Sequence, residues 1–222
     1  MRRSTSLQFL VKTALLSIIS VAVQAGPILQ VSSITSDKPL LTGHPLEAGI
    51  NQSGLSSSYI SGSTDFDTYV TAAVTHDNLA NTTFATSVGT SSVSLIMDLG
   101  GTVTIESLAL WNRAFASQGV KDFSLVASTD AFFTTETLLG SFTAQTALTS
   151  TGDNTLAEVF SFGAINASFV RMDVTSTYGS CCVSFGELAF EQSANVPEPG
   201  PLALLGLGFA GIAYSKKRKK TS

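Results

Sequence analysis

Short runs of period-two alternation, cut by turn residues, constrain this chain more than any other feature. Phe169, Arg171 and Asp173 alternate with Val170, Met172 and Val174, and Val93, Leu95 and Met97 form a second such run. A side-chain period of two belongs to a strand with one face buried. The runs Ile28–Ile34, Val93–Leu99, Val103–Trp111, Asp122–Ser128, Leu138–Thr143, Ala157–Phe162, Phe169–Thr175 and Val183–Glu191 are the candidate strands. Turns fall at Gly100-Gly101, Ser117–Gly119, Ser128–Asp130, Gly152–Asn154 and Tyr178–Ser180. No long helical period interrupts them between Gly26 and Ala194. Many short strands separated by turns predict an all-β jelly-roll sandwich over 26–194.

Both ends of the 222 residues read as something other than fold. Residues 1–25 carry Arg2, Arg3 and Lys12, then an apolar run from Ala14 to Val23, then Val23-Gln24-Ala25 before Gly26. A basic start, a short apolar stretch and a small-x-small site describe a signal peptide cut by signal peptidase between Ala25 and Gly26. The apolar run falls short of the roughly 20 residues of a membrane span. Ser4-Thr5-Ser6 after the arginine pair do not continue a twin-arginine motif, which favours the general secretory route.

Residues 195–222 hold Pro197-Glu198-Pro199, an apolar run from Leu202 to Tyr214, and Lys216-Lys217-Arg218-Lys219-Lys220. The two prolines leave an extended, protease-accessible stretch. The apolar run would reach roughly 20 Å as a helix, and snorkelling lysines would extend it. The basic cluster would stay cytoplasmic and the body would face outward. This order of parts resembles the PEP-CTERM sorting domain. The resemblance implies recognition by an exosortase-type membrane protease and processing near Pro197, Glu198 and Pro199. It also implies transient anchoring in the inner membrane of a Gram-negative cell, and then an envelope or extracellular destination.

Charge follows the same division. The formal net charge is −4, yet eight of the 12 basic residues lie in the two ends. Between Gly26 and Val196, fifteen carboxylates face only Lys38, Arg113, Lys121 and Arg171, a net charge of about −11. Such a surface repels phosphate backbones and argues against a nucleic-acid partner. It suits neutral sugars or divalent cations. The cysteines, Cys181 and Cys182, are adjacent and cannot staple distant segments. They read as free small apolar residues, a strained bridge between neighbours, or a link to another chain. With only His44 and His76 in the body, no zinc pattern forms.

Several stretches in order resemble the discoidin, or coagulation factor 5/8 type C, family of galactose-binding-like domains. They are Ala73–Phe84, Val93–Gly100, Trp111-Asn112-Arg113, Gly119–Asp130, Phe169–Val174 and Gly186–Phe190, and they span about residues 70 to 191. Asn78 and Phe84 stand where the family has Gly and Trp, and the family's terminal cysteine bridge is absent. The resemblance implies a structural calcium ion held by Asp77, Asn81, Thr82 and Glu187, oxygen donors of the kind that Ca²⁺ requires. It also implies an exported, non-catalytic protein that binds a polysaccharide or cell-surface glycan. A structural or adhesion module with no small ligand is the alternative.

Sugar binding needs an exposed aromatic face beside hydrogen-bonding groups. Trp111, Arg113, Phe115 and Tyr178 are the candidates, at strand ends and in loops. A packing role for Trp111 and an ion-paired role for Arg113 are the competing readings. Enzymatic signatures fail: there is no Gly-x-Ser-x-Gly elbow, His-Glu-x-x-His or phosphate loop. Asp65 and Asp67 have a carboxylate pair's spacing but lie in a Gly- and Ser-rich loop, where solvated acids are expected.

Overall fold

The structure, a computed structural model, describes residues 26–113, 118–145 and 154–194. Ala25, Phe115, Pro197, Glu198 and Pro199 therefore lie outside the described residues, as do the expected signal peptide and the sorting tail.

Among the described residues nine strands form one continuous hydrogen-bonded system. They are β1 (Ile28–Gln30), β2 (Ser33–Ser36), β3 (Thr75–His76), β4 (Phe84–Ala85), β5 (Val93–Asn112), β6 (Asp122–Ser128), β7 (Thr137–Thr143), β8 (Thr155–Val174) and β9 (Ser184–Gln192). One short α-helix, α1, covers Phe66–Thr71. The path of neighbours is β1-β9-β5-β8-β6-β7, with β2 on β5, β3 on β8 and β4 on β9.

β5 and β8 are each 20 residues long and pair antiparallel from Val93↔Val174 to Trp111↔Ala157. The register shifts between Asp98 and Val103 and again between Ile105 and Ser107. Gly100 and Gly101, at φ +79° and +152°, supply the left-handed backbone that this corner requires. Different partners flank the ladder on either side of the corner. β2 and β6 pair with the 93–98 and 169–174 halves, whereas β9 and β3 pair with the 105–112 and 155–156 halves. The ladder thus turns from one layer into the other and makes the sandwich.

The main core lies between the layers. Leu95, Met97, Leu125, Val170 and Met172 meet Leu108, Leu110, Phe160, Leu188 and Phe190 there. A second cluster covers the outer face of the β5–β9 layer: Ile28, Tyr59, Phe66, Tyr69, Val74, Ala109, Trp111 and Ala189. Strand alternation explains the split, since Leu108 and Leu110 point to one core while Ala109 and Trp111 point to the other. The segment from Leu55 to Val74 supplies the cover. Asp65 caps α1 there by accepting from the Thr68 amide at 2.8 Å, which gives that carboxylate a structural role; Asp67 is exposed on the first turn.

The eight expected strands are found, with changes of extent. Ile28–Ile34 divides into β1 and β2 because the chain passes from the β9 edge to the β5 edge. Val93–Leu99 and Val103–Trp111 join through the glycine corner, and Ala157–Phe162 joins Phe169–Thr175. The two-residue strands β3 and β4 and the helix α1 were not expected.

Candidate functional site

Two groups of polar residues are built by this topology, at opposite flanks of the start of β9. The first lies where β5 ends. Asn112 clips the strand end in place: its Nδ2 donates to the carbonyls of Val120 (2.7 Å) and Gln145 (3.0 Å), and its Oδ1 accepts from the Val120 amide at 2.9 Å. Arg113 follows and is buried, with 6% exposure. Its Nη1 donates to Thr83 Oγ1 (3.2 Å) and Ser184 Oγ (3.0 Å) and stands 3.4 Å from His44 Nδ1. Burial, and then the Arg113 charge, push the His44 pKa down against a hydrogen bond to the Thr83 carbonyl, 3.2 Å from its Nδ1.

This geometry corrects two of the expected sugar contacts. Arg113 is enclosed by Thr83 just before β4, Ser184 of β9 and His44 rather than presented to solvent. Trp111 has no exposed surface; its Nε1–H donates to the Val74 carbonyl at 2.9 Å, and Tyr69 meets its ring edge-on at 6.2 Å between centroids. Neither side chain faces outward, because the 55–74 segment and the β4–β9 pair close over the layer. The packing role, the competing reading for Trp111, is the one the structure shows, whereas the Arg113 hydrogen bonds named above reach neutral partners and not an acid.

Tyr178 differs. Its ring is 37% exposed, while its hydroxyl donates to the Ala144 carbonyl at 2.6 Å. Lys121 Nζ stands 5.9 Å from the ring centroid. The ring is thus an exposed aromatic surface fixed at its far end. Among the described residues the other exposed aromatic ring is Phe132, at 89%, on the turn between β6 and β7. A concavity of about 400 Å³ lies beside the end of β5 and the start of β8, lined by Asn112, Gln145, Asn154, Thr155, Leu156 and Glu158 among others.

The second group surrounds His76. Its ring is fully buried, with Nε2 2.7 Å from the Ser53 carbonyl and Nδ1 hydrogen-bonded to the Asp77 carbonyl. Glycines make room for it: a Cβ on Gly54 would lie 2.6 Å from the ring, and one on Gly186 would lie 2.5 Å from it. Asp77 Oδ1 accepts from Thr82 Oγ1 and from the Leu79 amide at 3.2 Å. Glu187 is fully buried. Its Oε2 accepts from the Gln52 amide at 2.8 Å, but its Oε1 has no partner among the described residues. Gln52 takes a left-handed φ of 64° to deliver that amide. Burial raises the Glu187 pKa well above 4.5, against the Gln52 hydrogen bond.

The structure thus joins Asp77 directly to Thr82 and sets Glu187 beside Gly186, which touches the same imidazole. Asn81 is exposed on the loop. Among the described residues no three His, Cys, Asp or Glu side chains come together as a metal cluster. The donors that are present are a carboxylate, a hydroxyl and carbonyls, together with the unpartnered Glu187 oxygen. That set suits an oxygen-seeking cation such as Ca²⁺ and not zinc. Sequence reasoning missed His76 as the centre of this group.

Comparison with known proteins follows the fold. The profile of the F5/8 type C domain matches residues 56–188, and that of the PEP-CTERM protein-sorting motif matches residues 195–219. No curated protein is similar to the chain. Among solved structures, one comprising the CBM32-1, CBM32-2 and M60 catalytic domains of Clostridium perfringens ZmpB aligns at TM-score 0.51 and 12% identity. The alignment covers 78% of this chain and 15% of that one. Chitosan-binding module 2 of a Paenibacillus sp. IK-5 chitosanase/glucanase, in complex with chitotriose, aligns at TM-score 0.48 and 20% identity, over 73% of this chain and 96% of that one. A CBM32 module of Clostridium perfringens GH89, in complex with GalNAc-β-1,3-galactose, gives 0.45 and 17%, over 71% and 93%.

Proposed function

The chain belongs to the F5/8 type C domain family, and from that premise we propose that it is an exported, non-catalytic module that binds a neutral glycan. The PEP-CTERM motif marks it as an exported, envelope-associated protein. In this reading signal peptidase removes residues 1–25, and an exosortase-type protease processes the chain near Pro197–Pro199. The acidic body then meets extracellular polysaccharide.

The observation that carries the reading is Tyr178. A sugar ring offers a flat patch of C–H groups, and an aromatic face desolvates it with little conformational loss if the aromatic is already fixed. The hydrogen bond from the Tyr178 hydroxyl to Ala144 supplies that fixation. Lys121 stands near the ring as a hydrogen-bond donor toward hydroxyls. Lys121 itself stands 4.0 Å from Asp122; of the body's other cations, Arg113 is buried, Lys38 is bound to Asp37 at 2.7 Å, and Arg171 is bound to Asp173 at 2.9 Å and Glu136 at 3.1 Å. A neutral sugar fits this surface better than an anionic one.

Calcium belongs to the same proposal as a structural ion. Asp77, Thr82 and Glu187 would supply oxygens, with the Glu187 Oε1 as the donor that gains most. The ion would set the 52–54 and 77–82 loops on β9 and take no part in a reaction.

A glycan array with the exported chain tests the proposal. Retention on defined neutral polysaccharides, lost on Tyr178→Ala with melting unchanged, supports it. Silence across the array would leave a displayed module without a small ligand.

A further inference from the structure

Cys181 and Cys182 are the chain's two cysteines, and their sulfurs lie 2.7 Å apart. Neighbours on a strand point to opposite faces. Here the chain is still in the turn that precedes β9, and both sulfurs meet. The turn is clamped by the segment that follows β4, the neighbour of β9. Cys182 bridges to Thr90, the Gly89 amide donates to the Cys181 carbonyl at 2.5 Å, and the Val183 amide donates to Thr86 Oγ1 at 2.8 Å. Cys182 is fully buried, whereas Cys181 is partly exposed.

We infer that Cys181 and Cys182 cross-link to each other reversibly, forming a redox-modified site on the exported domain. The compartment favours it, since disulfides persist outside the cytoplasm. Burial removes Cys182 from the reach of a second chain. An intermolecular link made by Cys181 would be opened by Cys182 at contact distance.

The chemistry needs an exchanging disulfide as oxidant, carried by a thiol–disulfide exchange protein or a small thiol compound. The exposed Cys181 gives its proton to water, and its thiolate attacks one sulfur of that disulfide. The partner's S–S bond breaks and one partner thiolate leaves. Cys182 then attacks the Cys181 sulfur; the Cys181–partner S–S bond breaks, and the departing partner thiolate takes up the Cys182 proton. Two thiols and one disulfide become one disulfide and two thiols. Burial and the neighbouring Cys181 hold the Cys182 thiol up, to about 12, and the Arg113 guanidinium pulls it back.

The test is intact mass of the full chain, exported into an oxidising compartment, purified without reductant, then denatured and alkylated with iodoacetamide. The expected result is a monomer with no added alkyl group before reduction and two after it. Two groups added before reduction, one group with a mixed disulfide, or a cross-linked dimer would each overturn the inference. In Cys182→Ser, Cys181 becomes alkylated or carries a mixed disulfide; a Cys182→Ser chain that resists alkylation as a bare monomer contradicts it. The wild-type mass decides the question even if the variant does not fold.

Discussion

The indole of Trp111 donates to the backbone carbonyl of Val74 at 2.9 Å, tying β5 to the segment that covers it. The bond fixes an otherwise irregular stretch, in which α1 has six residues and little stability of its own. Trp111→Phe keeps most of the volume but leaves the Val74 carbonyl unpaired, at a cost of about 1–3 kcal/mol. Trp111→Ala adds a cavity and should cost about 3–5 kcal/mol. Urea unfolding of both variants measures this. A loss below about 1 kcal/mol for the alanine variant would contradict the enclosed position of the ring.

Tyr178→Ala should weaken glycan binding about tenfold while leaving the melting temperature nearly unchanged, since a fixed aromatic face is worth about 1.5 kcal/mol. Tyr178→Phe keeps the face but frees it from Ala144, and should give a smaller loss. Phe132→Ala removes the more exposed ring and should leave binding intact. Titration calorimetry with whichever oligosaccharide the array identifies separates the three.

Glu187 sets a pH dependence with a defined sign. Its folded pKa is raised, so the folded state holds a proton that the unfolded chain releases near 4.5. Without calcium, stability is therefore fully present below 4.5 and falls as pH rises from there toward the folded pKa. Glu187→Gln should flatten that slope and equal or exceed the wild type in stability at neutral pH. Calcium should raise the wild-type melting temperature, and a chelator should reverse the rise; Glu187→Gln should respond to neither. Scanning calorimetry across pH, with and without calcium, gives all of these readouts. A chelator without effect on the wild type would remove the ion from the proposal.

Gly186→Ala places a methyl 2.5 Å from the His76 ring, whose nitrogens are held by carbonyls on either side. The ring has nowhere to retreat, so the cost should be about 1–3 kcal/mol. Gly54→Ala meets the same ring and adds a left-handed φ of 92°, so it should cost at least as much. Thermal melts rank the two. A neutral Gly186→Ala would mean that His76 is free to move.

The sandwich was legible because strands with one solvated face betray themselves. Val93, Leu95 and Met97 are buried while Ser94, Ile96 and Asp98 are half-buried, and that rhythm is in the sequence. It fails from Leu108 to Arg113, where every residue is buried and both faces are covered. No local pattern separates Leu110, facing the main core, from Trp111, facing the second one. The cover comes from residues some forty to fifty positions earlier in the chain. Arg113 was obscure for the same reason, since its neighbours His44, Thr83 and Ser184 are brought together only by the closed fold. Tyr178 was legible as a loop aromatic, because the glycine and serine that follow it leave little nearby to bury it.

The two ends of the domain leave it together. Gly26 accepts from Phe66 and Pro27 accepts from Gln192, so residue 26, where signal-peptide cleavage is expected, and the approach to the sorting tail share one end of the sandwich. β9 runs from that end to the turn that holds Tyr178 and the cysteines, and its nine residues span about 30 Å. A chain still held at the membrane by its tail would therefore carry Tyr178 on its distal side, reaching outward by the height of the domain. Capture of a polymer strand need not wait for release, and an anchored molecule and a freed one would offer the same surface.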